Sequence, residues 1–526
     1  MARVLVSDRL AEDGIDILRQ GADVDVRFGL TPAELLEIIP EYDALAVRSE
    51  TKVTAEVLAA GRNLMVVGRA GVGVDNIDVQ EATRRGIVVV YAPEGNTVSA
   101  AEHTMALMLA LSRHVAAGHA SLSQGKWERS KFVGVEFRGK TLGLFGLGRV
   151  GSEVARRARG FDMEILGFDP FVTPERAQAM GIRLASKDDI LAGSDFISLH
   201  VPLTAENRNL LGAPEFQKMK PDVRIINVAR GGLIDEAALI QALDAGRVAG
   251  AAFDVFDPEP PAPDLPILAH PKVIVTPHLG ASTAEAQERV SVDVAEQILA
   301  VLRGDPAMYA INLPAIGAET FKVVAPYLQA ATKAASLATQ LSAGQLEGVE
   351  IEFLGEIAGF DTTPLKASVI KGLLATVSEE NVTLVNAAVI AEQRGLKITE
   401  RRGPYEGIYK DLLRVHLTTS SGKTVVSATV SQDGPHIVEI NDFFVDVAPG
   451  EGHLLICENT DRPGMIGRIG TFLGEKDINI SFMRVGRESI RGRALMVIGL
   501  DDEIDPQTLA EITRIPDIFS ARTVRI

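Results

Sequence analysis

Thr141-Leu-Gly-Leu-Phe-Gly146-Leu-Gly148-Arg149-Val150-Gly151 decides the fold. Five residues of strand character run straight into a GxGxxG turn, and Ser152–Arg159 behind it reads as a helix. Gly146 permits the tight turn, Gly148 lets backbone approach a pyrophosphate, and Gly151 lets helix and strand pack closely. The helix N-terminus then offers N–H donors and the positive end of its dipole to the phosphates. GxGxxG alone is a weak signal, because a glycine-rich turn serves many purposes. Here a second strand, Glu164–Phe168, leads into Asp169, 18 residues past Gly151. That is close to the ~20 expected for the acid that binds the adenosine ribose hydroxyls. Asp169 would repel a ribose 2′-phosphate, and Pro170 and Phe171 stand where an arginine would accommodate one. NAD is therefore expected rather than NADP.

Outward from this unit the same alternation continues. Thr141–Phe145, Glu164–Phe168, Phe196–His200, Arg224–Asn227, Ala249–Asp254 and Val273–Val275 read as six strands with helices between them, a doubly wound parallel sheet. Residues 2–95 show a second βα series, with strands at Val4–Ser7, Asp43–Val47, Met65–Arg69 and Val88–Val90. Residues 98–118 read as one long helix. Another helix at 284–303 ends at Arg303-Gly304-Asp305-Pro306, and Leu313–Gly317 looks like a domain boundary. Residues 318–450 then read as an α+β domain, and 452–526 as a compact, ferredoxin-like β-α-β-β-α-β unit. Ser421-Gly422-Lys423-Thr424 mimics the end of a P-loop, but it lacks the earlier glycine and a following helix, so a hairpin turn is expected.

Bulk properties narrow the function. A chain of 526 residues predicts two to four domains. The net charge of -17 disfavours nucleic acid and anionic membrane surfaces but tolerates an anionic small substrate, given a few local arginines. The N-terminus shows no secretory signal pattern. Cys457 is the single cysteine, and the nine histidines show no metal-ligand spacing. A cytoplasmic protein without a bound metal is the expectation.

Three strand ends in the second half of the sheet carry polar groups where such folds place their sites. They are Asn227-Val228-Ala229-Arg230, Asp254-Val-Phe-Asp-Pro-Glu259 and Thr276-Pro-His278-Leu-Gly280-Ala281. Together they offer a guanidinium, a carboxylate and an imidazole. Hydride removal from an alcohol needs a base, and an imidazole suits it. A carboxylate partner would favour the imidazolium, and an arginine fork fits a substrate carboxylate.

At these residues the chain resembles the D-isomer-specific 2-hydroxyacid dehydrogenase family. Matching stretches are Val47-Arg48-Ser49, Arg69-Ala-Gly-Val-Gly-Val-Asp-Asn76, Gly95-Asn96, Gly125-Lys-Trp-Glu-Arg129, His200-Val-Pro-Leu-Thr204 and His278-Leu-Gly-Ala-Ser-Thr283. The resemblance implies that His278 is the acid/base, Glu259 its partner and Arg230 the carboxylate anchor. It puts Arg149, Val150 and Asp169 on the adenosine side of NAD and Asp254 near the carboxamide, with Val228, Ala229, Gly280 and Ala281 beside the cofactor. Arg48, Arg69 and Asn96 would line the substrate pocket, with Lys52 and Arg129 available to a phosphate. It also implies a discontinuous substrate-binding domain (1–97 plus 285–313) around an NAD-binding domain (98–284), with closure of the two lobes excluding water. His200 is expected to be structural or cofactor-proximal, His103 to be core, and Trp127 to sit on an arm docking onto a second subunit.

The family's short members stop near residue 313. Here 317–450 resembles the intervening domain of its long members, and 452–526 resembles an ACT domain, on Glu458-Asn459-Thr460-Asp461-Arg462-Pro463-Gly464 and Asp477-Ile-Asn479-Ile480. ACT domains pair across subunits and bind amino acids between them. Asn459, Asp461 and Asn479 match positions that hold L-serine in relatives, although Cys457 replaces a histidine found in some of them. The resemblance thus implies a homodimer or homotetramer oxidising 3-phospho-D-glycerate to 3-phosphohydroxypyruvate, the first step of L-serine biosynthesis. Another D-2-hydroxy acid (glycerate, 2-hydroxyglutarate, lactate) and a non-catalytic NAD-sensing interaction protein remain as alternatives.

Overall fold

Strand Thr141–Phe145 lies at the turning point of a seven-stranded parallel sheet. Its spatial order is Val273–Val275, Val248–Phe253, Val223–Asn227, Phe196–Leu199, Thr141–Phe145, Glu164–Phe168, Arg183–Leu184. The direction of strand addition reverses between Thr141–Phe145 and Phe196–Leu199, and such switch points open a crevice at the strand C-termini. Six of these strands are legible in the sequence. The seventh, Arg183–Leu184, is a two-residue edge, too short to carry a period. The structure is a computed structural model and describes residues 1–305, 307–313, 318–375, 382–448, 450 and 452–526.

The first sheet is also parallel, in the order Asp23–Val26, Arg3–Val6, Ala44–Val47, Val66–Arg69, Val88–Tyr91. Its edge strand Asp23–Val26 was not expected: an Asp-Val-Asp-Val alternation with every residue at least partly exposed offers little apolar signal. Helix Ala284–Leu302 returns to this sheet, packing Val290, Val294 and Ile298 against Val4, Val6, Val66 and Val90.

Helix Thr97–Ser112 links the lobes. It is apolar nearly all round because it is buried against the second sheet and the helix behind the glycine turn. The expected single helix over 98–118 breaks at His114, whose φ of 52° is left-handed and turns the chain out of the first helix. A second helix, Val115–Ser123, buries no residue.

The C-terminal half builds a six-stranded sheet in the order Ile398–Gly403, Leu346–Gly355, Asp411–Thr419, Gly422–Ser431, Gly434–Ile440, Phe443–Val447, faced by helices Ala318–Leu341 and Thr363–Leu374. A hairpin turn does form here, at Ser420-Ser421, with Gly422 already in the strand opposite Thr419 and Lys423 and Thr424 following in it. The proposed boundary at Leu313–Gly317 lies, beyond Leu313, outside the described residues. The last unit is antiparallel, ordered Ile480–Arg487, Arg493–Leu500, His453–Thr460, Ile518–Arg525, with helices Met465–Glu475 and Pro506–Ile512. Its open sheet face does not meet solvent: Leu454, Ile456, Leu495, Val497 and Val524 join one core with Val349, Phe353, Val426 and Val445 of the preceding sheet. The two C-terminal units therefore share apolar packing. Among the described residues no helix is long and apolar enough to cross a membrane.

Candidate active site

The glycine turn is built for a ligand. Gly146 has φ 93°, and a Cβ there would strike the His200 carbonyl; a Cβ on Gly151 would strike the Gly146 carbonyl. Gly148 is different, because a Cβ on it would meet nothing within 4 Å. Its lack of a side chain thus relieves no internal clash and keeps space open beside the N-terminus of helix Arg149–Arg159. Asp169 accepts the Leu147 N–H at 2.9 Å and the Phe171 N–H at 2.9 Å, so each carboxylate oxygen retains a lone pair for a ligand hydroxyl. This cradle fits NAD. Asp169→Ala is expected to narrow the preference for NAD over NADP by roughly tenfold to a hundredfold, the scale of lost hydrogen bonds to a charged group. Ratios of kcat/KM measure it, and an unchanged ratio removes the ribose role from Asp169.

Val150 is half-buried behind the turn. Arg149 is exposed and reaches across to the first lobe, pairing with Glu94 at 3.0 Å. His200 directly follows its strand in a half-buried position, and desolvation pushes its pKa down to about 4. Its Nε2 meets Ser198 Oγ at 2.9 Å. A histidine held neutral this way supports the turn and does not trade protons near neutral pH.

At the other end of the crevice His278 Nδ1 lies 2.7 Å from Glu259 Oε2. Burial alone would raise the Glu259 pKa. The bonds from His278 and the Phe256 N–H, with the charges of His278 and Arg230, outweigh it and hold the carboxyl below its ordinary value. Glu259 is therefore a carboxylate at neutral pH. Asn227 shapes the Arg230 turn, accepting from the Ala229 N–H and donating to the Arg230 carbonyl. Arg230 Nε sits 3.5 Å from Asp75 Oδ2 in the first lobe.

Arg69 comes from the same lobe. Burial pushes its pKa down to about 10, helped by the charges of Arg230 and Arg48 and opposed by Asp75 and Asp8. It remains a cation at neutral pH. Its Nε donates to Asn76 Oδ1 at 3.0 Å, and Asn76 in turn donates to the Arg48 and Thr51 carbonyls. Buried Asp8 accepts the N–H groups of Arg48, Glu50 and Thr51. Arg69 thus lies close enough to both Arg48 and Arg230 to feel their charges. Asn96 is half-buried at the start of helix Thr97–Ser112. Lys52 and Arg129 are both exposed, the latter in the 3-10 turn Arg129–Phe132.

Asp254 is fully buried at the end of strand Val248–Phe253. It accepts the Leu279 N–H at 2.7 Å and the Gly280 N–H at 2.8 Å, and Val228 lies against Gly280. Half-buried Ala281 continues the turn. Burial would raise the Asp254 pKa, yet bonds from His103, Thr276 and Leu279 hold it below the usual range. His103 corrects the sequence expectation: it is a polar contact on Asp254 rather than core filling. Asp75 and Glu94, partners of Arg230 and Arg149, were likewise not singled out from the sequence.

In the last unit Asn459 and Asp461 line a cavity of about 390 Å³ with Arg487 and Arg491. Asn459 is buried, and among the described residues its Oδ1 has no hydrogen-bond partner. Asn479 does not line this cavity; its amide donates to Asp501 at 2.5 Å.

Comparison with known proteins agrees with this geometry. Residues 105–280 match the NAD binding domain of the D-isomer specific 2-hydroxyacid dehydrogenases, 323–441 the D-3-phosphoglycerate dehydrogenase intervening domain, and 453–517 the ACT domain. Over 528 residues the chain is 44% identical to D-3-phosphoglycerate dehydrogenase of Synechocystis sp., covering 100% of this chain and 95% of that one. The chain belongs to the D-3-phosphoglycerate dehydrogenase family. A relative of the same name from Archaeoglobus fulgidus is 43% identical over 527 residues, covering 100% of both chains. Among solved structures, D-lactate dehydrogenase from Aquifex aeolicus, complexed with NAD and lactic acid, aligns with a TM-score of 0.52 at 28% identity. That alignment covers 57% of this chain and 96% of the other. With the family comes the class of chemistry: the chain is an NAD-dependent oxidoreductase acting on a D-2-hydroxy acid.

Proposed function

We propose that the chain oxidises 3-phospho-D-glycerate to 3-phosphohydroxypyruvate with NAD, the first step of L-serine biosynthesis. The observation that carries this reading is the grouping of Arg69 with Arg48 and Arg230, the last of which also acts on Glu259 of the His278–Glu259 pair, in a chain of net charge -17. Such a substrate carries a carboxylate and a phosphate, and both need cations.

Arg230 anchors the substrate carboxylate through its planar fork. Arg48 and Arg69 supply positive potential for the phosphate, with Lys52 and Arg129 within the same role and Asn96 at the pocket wall. With Nδ1 bound to Glu259, His278 meets the C2 hydroxyl through Nε2 and takes its proton, and the Glu259 carboxylate stabilises the imidazolium that forms. NAD, when bound, would supply the hydride acceptor for C2. Gly146, Gly148, Gly151, Arg149, Val150 and Asp169 would hold its pyrophosphate and adenosine side, while Val228, Ala229, Asp254, Gly280 and Ala281 would form the wall at its reacting end. The division into a substrate lobe (1–97 plus 285–313), an NAD lobe (98–284) and regulatory units (317–450, 452–526) follows from this assignment.

A panel of 2-keto acids with NADH tests the substrate. 3-Phosphohydroxypyruvate is expected to exceed hydroxypyruvate, pyruvate and 2-oxoglutarate in kcat/KM by at least about a hundredfold, the worth of a desolvated charged contact. Comparable values would assign the enzyme to another hydroxy acid.

L-serine is the proposed effector, supported by the Asn459 Oδ1, partnerless among the described residues, in a cavity lined by Asp461 and three arginines, Arg462, Arg487 and Arg491. Asn479 would complete the site from a second copy. A homo-oligomer is further supported by the arm after Ser112, where Trp127 and Val133 are 81% and 79% exposed. Asn479→Ala is expected to abolish inhibition by serine. Persistence of full inhibition would remove Asn479 from the site. The single cysteine suits a cytoplasmic setting.

A further inference from the structure

His103 is the one histidine on helix Thr97–Ser112. Its Nε2 lies 3.1 Å from Asp254 Oδ1 and 3.2 Å from Thr276 Oγ1. A carboxylate only accepts, so the Nε2–H donates to Asp254. Asp254 is fully buried, and among the described residues His103 is its only ion-pairing partner. Its remaining donors are the Thr276 hydroxyl at 2.6 Å and the N–H groups of Leu279 and Gly280. The Asp254 backbone carbonyl also accepts the His278 N–H at 2.9 Å.

Asp254 therefore grips the chain before, at and after His278. That grip has something to hold, since His278 stands at φ 55°, a left-handed conformation that a non-glycine residue keeps only when its surroundings enforce it. A second tie runs from the same helix to the same turn, Ser99 Oγ to Thr283 Oγ1 at 2.8 Å. The helix that joins the lobes thus fixes the turn carrying the acid–base group, and His103 does so through the one carboxylate that spans the turn.

We propose that His103 is a positioning residue for hydride transfer, acting through Asp254 on the backbone turn that presents His278 to the substrate. The proposal rests on the reading of His278 as the acid–base residue. Loss of the imidazole lets the Asp254 carboxylate rotate and the turn relax, so the proton acceptor is displaced while the arginines that bind substrate are untouched. A displacement on this scale costs turnover and leaves binding nearly intact.

The test compares His103→Leu with His103→Gln in the full-length protein, with sites counted by titration of NADH fluorescence. H103L is expected to lower kcat per NADH-binding site by about tenfold to a hundredfold, with KM for the hydroxy acid and for NAD within about threefold. H103Q, whose amide N–H can donate to Asp254, is expected to recover most of that loss. The emission of bound NADH should shift in H103L and return toward wild type in H103Q. An H103L enzyme with wild-type kcat per site, or an H103Q enzyme no better than H103L, overturns the proposal. If the wild type turns over no hydroxy acid, the substrate reading fails instead. The bound-NADH spectra then still decide on His103: identical spectra in all three proteins overturn it.

Discussion

Replacing His278 by glutamine is expected to lower kcat by about two to four orders of magnitude, or roughly 3–5 kcal/mol of barrier, the worth of a positioned general acid–base group. Glutamine is close to isosteric and can keep a hydrogen bond to Glu259, so the 2.7 Å contact and the turn need not collapse. What it lacks is a lone pair basic enough to take the hydroxyl proton. NAD binding, read by fluorescence, should be unchanged, because the glycine turn and Asp169 lie at the opposite end of the crevice. Glu259→Gln should cost less, since it weakens the imidazolium without removing the base. The depressed Glu259 pKa adds a sign: its contact with His278 is present above the ordinary carboxylate pKa and lost only as pH falls through the lowered value. A His278→Gln enzyme within tenfold of wild type would mean that another group takes the proton.

Arg230→Lys is expected to cut kcat/KM by roughly thirtyfold to 150-fold, about 2–3 kcal/mol, with most of the loss in KM. The charge survives, so long-range attraction of the anion survives with it. The planar fork does not, and a point ammonium cannot reproduce two parallel bonds to a carboxylate. Room is also tight, since a Cβ on Gly73 would collide with the Arg230 guanidinium and Asp75 sits beside Nε. A lysine there would bind Asp75 at least as readily as the substrate. Near-normal KM in Arg230→Lys would show that the carboxylate is held elsewhere, with Arg69 the next group to replace.

What was legible from the amino acids was local. Gly146, Gly148, Gly151 and Asp169 lie within one βαβ unit, and their spacing alone names a dinucleotide. The strand ends bearing Arg230, Glu259 and His278 were legible because strand C-termini are where open parallel sheets place their sites. Contacts across long separations were not. His103 and Asp254 are 151 residues apart, and Arg149 and Glu94 are 55 apart on different lobes. Along the sequence His103 is merely a polar residue in an apolar helix, and nothing nearby marks its partner. The helix break at His114 also escaped detection, because no glycine or proline announces the left-handed residue. Edge strands Asp23–Val26 and Arg183–Leu184 escaped because each is short and at least partly exposed throughout. In the C-terminal half the period revealed strands but not the core shared by two units, for which Leu454 and Val349 must be seen together.

The central claim is that this crevice moves a hydride from C2 of 3-phospho-D-glycerate while His278 takes the hydroxyl proton. Single-turnover kinetics with substrate deuterated at C2 test it directly. The account predicts that deuterium appears on the nicotinamide, with a primary isotope effect on a step that slows by orders of magnitude in His278→Gln. Deuterium left on the product, or faster transfer from unphosphorylated D-glycerate, would contradict it.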